Sequence, residues 1–197
     1  MSIVVLGSTD AVSGAVAGSL GSAVRHLDAS LPLGVDGVVI VTGSDARPTP
    51  LTGIDEFEWH RLAEQPMRKT LTALQHSHES MSGRGGRIVL VVPTIGMSGA
   101  ADLVPYTTAI EGIRAMAKSA ARQWAPAGIV VNMIAVPAGL LAPTVSAATS
   151  HVTAAAVSDD HGIVETIVET TKFLLSDEVT HLVGATIVVD GGSVMSP

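Results

Sequence analysis

Short runs of Val and Ile, separated by longer segments with helical spacing, are the feature that most restricts how this chain can fold. Five such runs occur, at residues 2–6 (SIVVL), 37–42 (GVVIVT), 87–93 (RIVLVVP), 129–135 (IVVNMIA) and 185–190 (ATIVVD). Runs that are apolar at nearly every position are typical of strands buried on both faces, as in a parallel sheet. The segments with helical spacing lie between them, at residues 11–24, 55–78, 104–124 and 163–175. This alternation predicts a single α/β domain over residues 1–197, with helices on both faces of an open sheet.

Composition excludes several classes of partner. The net charge is -7 and the 11 Lys and Arg residues form no cluster, so we expect neither a nucleic acid nor a membrane partner. Runs without a polar side chain, such as residues 88–93, are far shorter than the roughly 18–20 residues of a membrane span. The first seven residues carry no basic region or cleavage site. The chain has no Cys, which is consistent with a reducing compartment, and we expect a cytoplasmic protein.

Four segments of the sequence, in a fixed order, indicate a family. They are residues 87–96 (RIVLVVPTIG), 106–112 (YTTAIEG), 128–139 (GIVVNMIAVPAG) and 173–192 (FLLSDEVTHLVGATIVVDGG). They resemble the serine-bearing strand and loop, the YxxxK motif, the IxVNxIxPG segment and the C-terminal VDGG strand of the short-chain dehydrogenase/reductase family. The resemblance implies a Rossmann-like, doubly wound parallel sheet. Where the family has two more strands and a helix, this chain has only residues 25–36. We therefore expect a sheet reduced to about five strands, by loss of the second and third, with residues 2–6 left at its edge.

The catalytic residues that the resemblance implies are mostly replaced. In the family, a tyrosine exchanges a proton with the substrate oxygen, a lysine four residues later lowers its pKa, and a serine thirteen residues before it binds the substrate. Tyr106 is present, but the lysine position is Ile110, the serine position is Pro93 and the asparagine position of the proton relay is Pro66. Thr94 is the neighbouring candidate for the serine's role. An unassisted phenol, with a pKa near 10, is poorly matched to proton transfer at neutral pH, so we interpret Tyr106 as vestigial.

The nucleotide-binding residues that the resemblance implies are also incomplete. The family's first turn reads TGxxxGxG, and its glycines let the backbone approach a pyrophosphate at a helix N-terminus. Here residues 6–13 read LGSTDAVS, which keeps Gly7 and Ser8 as candidates, loses the other two glycines and places Asp10 where phosphates would lie. Gly43 and Asn132 are the other cofactor-binding candidates. Gly43 ends the IVTG stretch, where the family has two asparagines, and Asn132 is expected mainly to brace the backbone.

No metal site is expected. His76 and His78 form an HxH pair, but residues i and i+2 of a helix do not share a face. Pro66 lies inside the second predicted helix, where a proline removes a hydrogen bond and distorts the axis.

Two functions remain. The first is a non-catalytic short-chain dehydrogenase-like subunit, a structural or regulatory partner of an active dehydrogenase/reductase in a homo- or hetero-oligomer, with no cofactor. The second is a divergent NAD(P)-dependent oxidoreductase acting on a carbonyl or hydroxyl substrate, such as a 3-oxoacyl or 3-hydroxyacyl compound, in which Thr94 and Tyr106 act without the lysine. We favour the first, because Pro66, Pro93 and Ile110 occupy three catalytic positions together.

The low charge content agrees with a subunit that has partners. Only 15% of the residues are charged, where an ordinary soluble domain has about 25%. A sheet buried on both faces accounts for part of the apolar excess. We expect the remainder on the two long helices, the last strand and the sheet edge, as subunit interface.

Overall fold

The computed structural model describes residues 1–145, 155–158 and 160–194, and its centre is a parallel sheet of six strands. The spatial order is β2-β1-β3-β4-β5-β6, and every neighbouring pair is parallel. The strands are β1 (Ile3–Leu6), β2 (Val24–Arg25), β3 (Gly37–Val41), β4 (Gly86–Pro93), β5 (Ile129–Val136) and β6 (Thr186–Val188). The predicted doubly wound α/β fold is confirmed.

Helices cover both faces of this sheet. They are α1 (Ala11–Ser19), α2 (Glu56–Trp59), α3 (Gln65–Met81), α4 (Ile95–Ser98), α5 (Val104–Trp124), α6 (Ala138–Leu141) and α7 (Asp160–Leu175), with 3-10 turns at Leu51–Gly53, Ala125–Ala127 and Pro143–Val145. Within the described ranges, no helix is both long and apolar enough to cross a bilayer.

Alternate residues of each central strand face opposite cores, which is why the apolar runs are continuous. In β3, Val38 and Ile40 belong to a core with α3 and α5, while Val39 and Val41 belong to a second core with α1 and α7. All four side chains are at most 3% exposed. Because successive strand residues point to opposite faces, only a sheet covered on both sides can bury such a run.

The expectation that the second strand is lost is wrong. Residues 24 and 25 form the two-residue strand β2, which pairs with Val5 and Leu6. The Gly7 N–H also donates to the Arg25 carbonyl, at 2.8 Å. Pairing satisfies backbone groups that β1 would otherwise leave exposed, so β1 is internal and is not the edge that we expected. The new edge is too short to be a good template for another strand.

The missing third strand is replaced by a crossing segment, residues 26–36, which contains turns only. Leu27, Ala29 and Leu31 of this segment pack against the core beside α3 and α5. Its backbone is held by α3: His76 Nδ1 donates to the Ala29 carbonyl, at 3.0 Å, and Gly34 N donates to the Ser80 carbonyl, at 2.8 Å. The segment therefore forms part of the domain's packed layer.

Two predicted helices differ from the structure, and backbone chemistry explains both. The first helix ends at Ser19 instead of residue 24, because the chain turns at Gly21, which has a left-handed φ of 63°. The second is interrupted by a π turn (His60–Glu64) between α2 and α3, where Gln65 N donates to the His60 carbonyl. Pro66 follows directly. Its missing N–H and its ring are incompatible with a regular helix interior, so the irregularity predicted at Pro66 occurs just before it.

Asn132 holds the last strand against the sheet. Its Nδ2 donates to the Leu182 carbonyl at 2.6 Å, and its Oδ1 accepts from Ala185 N at 3.0 Å. The residue is 1% exposed, so both backbone groups depend on this one amide.

We expect Asn132→Ala to lower the free energy of unfolding by about 2–3 kcal/mol, because the variant leaves the part-buried Ala185 N–H and Leu182 carbonyl unpaired and removes the buried amide. Urea unfolding followed by circular dichroism measures the change. Gln123→Ala removes an exposed amide from α5 and serves as the control, with an expected change within about 0.5 kcal/mol. An equal effect of the two substitutions would contradict the bracing role.

Candidate functional site

The carboxyl ends of β1 and β3 form the place where this fold is built to bind a ligand. The segments that follow the two strands pack on opposite faces of the sheet, α1 on one and α3 on the other. Such a switch point creates a crevice outside the strand ends. A pocket of about 80 Å³ lies here, lined by Ser8 and Gly43 from the strand ends, Pro66 from α3, and Tyr106 and Ile110 from α5. The structure thus brings five of the predicted site residues together, while Gly7, Pro93, Thr94 and Asn132 are not part of the pocket lining.

The N-terminus of α1 is already capped by a carboxylate of the chain itself. Asp10 is the N-cap residue, and its side chain accepts hydrogen bonds from Ser13 N at 2.8 Å and Ser13 Oγ at 2.9 Å. A negative charge in this position satisfies a free N–H and complements the helix dipole, which is what a bound phosphate would otherwise do.

Gly7 is required by close packing. A Cβ at this position would lie 2.8 Å from Ser13 Oγ and 3.1 Å from Val41 Cβ. The glycine therefore lets α1 approach the ends of β1 and β3 whether or not a ligand binds.

A hydrogen bond joins the two loops that border the crevice. Ser8 Oγ and Ser44 Oγ are 2.8 Å apart, across the gap between the end of β1 and the end of β3. Leu27 of the crossing segment lines the same pocket. The contact narrows the crevice between the ends of β1 and β3.

Tyr106 is tied to the backbone at the end of β3. Its hydroxyl donates a hydrogen bond of 2.6 Å to the Gly43 carbonyl, and the side chain is 2% exposed. Burial raises the pKa of this hydroxyl well above its ordinary value near 10, because the phenolate would lose its hydration. The geometry keeps the phenol neutral and its proton engaged.

Pro93 packs against the same backbone position. Gly43 has a φ of 104°, and a Cβ on it would lie 2.6 Å from Pro93 Cγ and 3.2 Å from Tyr106 Oη. We call Gly43, Pro93 and Tyr106 the Gly43 cluster. The proline ring fills the space beside the tyrosine where a hydroxyl side chain would act in the predicted pattern.

Ile110 and Thr94 occupy packed positions near the cluster. Ile110 is 1% exposed and contacts the first turn of α4, since a Cβ on Gly96 would lie 2.9 Å from Ile110 Cγ2. Thr94 is 5% exposed at the start of α4, and its N–H donates to the Val136 carbonyl at 2.8 Å. At the position where the family has a catalytic lysine, Ile110 thus packs an aliphatic side chain against α4 and supplies no ammonium group.

Besides Thr42, Ser44 and Asp45 at the end of β3, sequence reasoning missed three polar residues of the pocket on a helical segment, Arg61, Gln65 and Lys69. All three come from the helical segment that precedes and includes α3. A signal was present for one of them, because Lys69 is three residues after Pro66 and residues at i and i+3 share a helix face. Arg61 precedes Gln65 by four residues, which also places the two near one face, and the π turn, which the sequence does not reveal, reduces the angular offset between them.

The two histidines of the HxH pair are directed to different partners. His76 contacts the crossing segment, and the His78 ring lies 4.9 Å from the ring of Trp124. Among the residues that the structure describes, no group of three or more His, Asp or Glu is placed to hold a metal ion.

Comparisons with known proteins identify the family. The family model described as enoyl-(acyl carrier protein) reductase matches residues 15–194. A cis-4-hydroxycyclohexanecarboxylate dehydrogenase of Sinomonas cyclohexanicum is 32% identical over 161 residues, which are 79% of this chain and 64% of that protein. A short-chain dehydrogenase/reductase of Hericium erinaceus is 28% identical over 167 residues, 81% and 65% of the two chains.

The chain belongs to the short-chain dehydrogenase/reductase family. A 3-oxoacyl-[acyl-carrier-protein] reductase of Escherichia coli is 26% identical over 164 residues, 80% of this chain and 66% of that one. The chain therefore spans about two thirds of the length of these relatives. A crystal structure of sorbitol-6-phosphate 2-dehydrogenase from Erwinia amylovora superimposes with a TM-score of 0.78, over 98% of this chain and 100% of that one, at 15% identity. That likeness shows the shared fold.

The neutral state of Tyr106 can be measured directly, because it is the only tyrosine of the chain. We expect the folded protein to show no phenolate absorbance near 295 nm at about pH 11, where the tyrosine of the urea-unfolded chain is mostly ionised. Because the folded pKa is raised, stability is unaffected below the unfolded pKa and falls as the pH rises beyond it. Phenolate absorbance from the folded protein at or below its ordinary pKa would contradict the buried hydrogen bond.

Proposed function

We propose that this short-chain dehydrogenase/reductase is a non-catalytic, cytoplasmic subunit, which acts as a structural or regulatory partner of an active dehydrogenase/reductase. The observation that carries the proposal is the hydrogen bond from Tyr106 to the Gly43 carbonyl. In the family's pattern this hydroxyl must be free to exchange a proton with the substrate. Here it is buried, its pKa is raised, and the neighbouring positions hold Pro93 and Ile110.

Proton transfer is unfavourable at such a centre for an energetic reason. A phenol works as an acid or base near neutral pH only where a nearby positive charge stabilises the phenolate. Ile110 supplies none, and burial acts in the opposite direction. Each unit by which the pKa is raised adds about 1.4 kcal/mol to the cost of forming the phenolate.

The residues present do not fit the NAD(P) cofactor that the family binds. The Asp10 carboxylate caps the N-terminus of α1, and the Ser8–Ser44 hydrogen bond crosses the crevice. The pocket of about 80 Å³ is also small compared with the roughly 300–1,000 Å³ of ordinary ligand sites. A dinucleotide would have to break two internal contacts and displace a negative charge. We therefore propose that the chain binds no nicotinamide cofactor.

The partner half of the proposal rests on surface composition. Large apolar side chains are exposed on α3 (Leu71, 44%), on α7 (Phe173, 52%) and just before β6 (Val183, 39%). Leu71 lies on one of the two long helices and Val183 lies beside the last strand, where we expected the apolar excess, whereas Phe173 lies on α7, outside those elements. Together with the low charge content, they support a subunit interface.

We expect isothermal titration calorimetry of the purified protein to show no saturable heat with NADH or NADPH at submillimolar concentrations. The physical reason is the closed crevice, in which the α1 N-terminus is already neutralised. A micromolar dissociation constant would contradict the proposal and favour the divergent NAD(P)-dependent oxidoreductase.

Restoring two catalytic side chains distinguishes the effect of the lost catalytic residues from the effect of the obstructed nucleotide site. The double variant Pro93→Ser, Ile110→Lys is expected to stay without oxidoreductase activity and without nucleotide binding, because neither change opens the first turn. Recovery of NAD(P)H-dependent reduction from these two substitutions alone would show that the nucleotide site is intact.

Affinity purification of the tagged chain from its source organism tests the partner. We expect a full-length short-chain dehydrogenase/reductase to co-purify in a fixed stoichiometry, which quantitative mass spectrometry measures. A chain that purifies alone at native abundance would contradict the subunit role. Leu71→Ser and Phe173→Ser should weaken the complex, whereas Leu51→Ser, on the 3-10 turn before α2, is a control for loss of an exposed apolar residue outside the expected interface.

A further inference from the structure

The pocket at the strand ends carries an excess of positive charge. Arg61 and Lys69 line it, and Asp45 is the one carboxylate among the described residues of its lining. The whole chain has a net charge of -7, so a pocket with two cations and one anion departs from the average surface. The hydroxyl groups of Ser8 and Ser44 add hydrogen-bond donors to the same pocket.

The two cations differ in how far they are already neutralised. Arg61 pairs with Asp45, with NH1 and Oδ1 2.9 Å apart, and the carboxylate side chain is 56% exposed. Lys69 has no ion-pair or hydrogen-bond partner for its ammonium group within the part of the chain that the structure describes. An anion entering the pocket would be attracted by the ammonium group of Lys69. The Asp45 side chain is exposed enough to rotate towards solvent, which would free the Arg61 guanidinium to bind the anion.

The π turn brings these side chains closer to one line on the helix surface. Arg61, Gln65 and Lys69 are spaced four residues apart, and in a regular α-helix such a row drifts around the axis. The π turn His60–Glu64 closes with an i→i+5 hydrogen bond, which reduces the rotation per residue and brings Arg61 back into line with Gln65 and Lys69. Single π turns of this kind occur often at binding sites.

We propose that this pocket binds a small oxyanion, a carboxylate or phosphate group, held by Arg61 and Lys69. Guanidinium and ammonium groups are the usual partners of both anions, and the pocket has room for a group of a few atoms but not for a nucleotide. The site would give the non-catalytic subunit a ligand that needs no chemistry at Tyr106. The inference does not depend on the proposed function, because it involves neither a nicotinamide cofactor nor a partner chain.

Calorimetry with two probes, sodium phosphate and sodium acetate, tests the site at constant ionic strength in chloride buffer. We expect saturable binding of at least one probe by the wild-type protein. Binding of phosphate alone identifies a phosphate site, binding of acetate alone identifies a carboxylate site, and binding of both indicates a general oxyanion site. No saturable binding of either probe would overturn the proposal.

Matched variants separate the pocket from general surface charge. Lys69→Gln and Arg61→Gln should each weaken the binding at least tenfold, while Arg68→Gln, an exposed neighbour on α3 outside the pocket lining, should leave it unchanged. Circular dichroism checks that all three variants are folded. Equal weakening by Arg68→Gln would show non-specific attraction and would overturn the assignment. If neither oxyanion binds and NADH does not bind either, the oxyanion site is overturned but the proposed non-catalytic function is not. The two outcomes are therefore distinguishable.

Discussion

The hydrogen bond between the Tyr106 hydroxyl and the Gly43 carbonyl is the contact on which the organisation of the strand ends depends. It joins α5 to the end of β3, and the Pro93 ring packs on the same glycine from the end of β4. A Cβ at position 43 would collide with the Pro93 ring and crowd the Tyr106 hydroxyl, and the φ of 104° also disfavours a side chain, so the cluster requires glycine there. The ends of β3 and β4 and the helix α5, which border the crevice, are thereby held together by contacts within the chain.

The closed strand ends and the intact sheet have different physical origins. The six parallel strands are held by ladders and by two apolar cores, which depend on Val and Ile at alternating positions and not on the residues of the crevice. The crossing segment covers the face that the missing strand and helix leave, through Leu27, Ala29 and Leu31. The fold can therefore tolerate changes at the crevice without losing its stability, because burial of apolar surface supplies most of that stability.

Much of this arrangement can be predicted from the sequence, but the features that depend on tertiary contacts cannot. Continuous apolar runs predicted the central strands, and the motif spacing placed Tyr106, Pro93 and Ile110. The two-residue strand β2 was missed because Val24 and Arg25 have neither the length nor the periodicity of a strand; only pairing with β1 makes them one. An irregularity was expected at Pro66, but the sequence does not reveal that it takes the form of a π turn. The place of Arg61 in the pocket, on the far side of that turn, was therefore missed.

The hydroxyl proton of Tyr106, observed by proton NMR at neutral pH, gives the most direct test of the central claim. A hydroxyl engaged with the Gly43 carbonyl in the interior should exchange slowly with water, give a discrete resonance and show a cross-peak to the Gly43 α-protons. That result is the one predicted. The absence of this resonance, together with tyrosine ring carbons whose shifts titrate near neutral pH, would mean that the phenol is free to act as an acid, and would contradict the account.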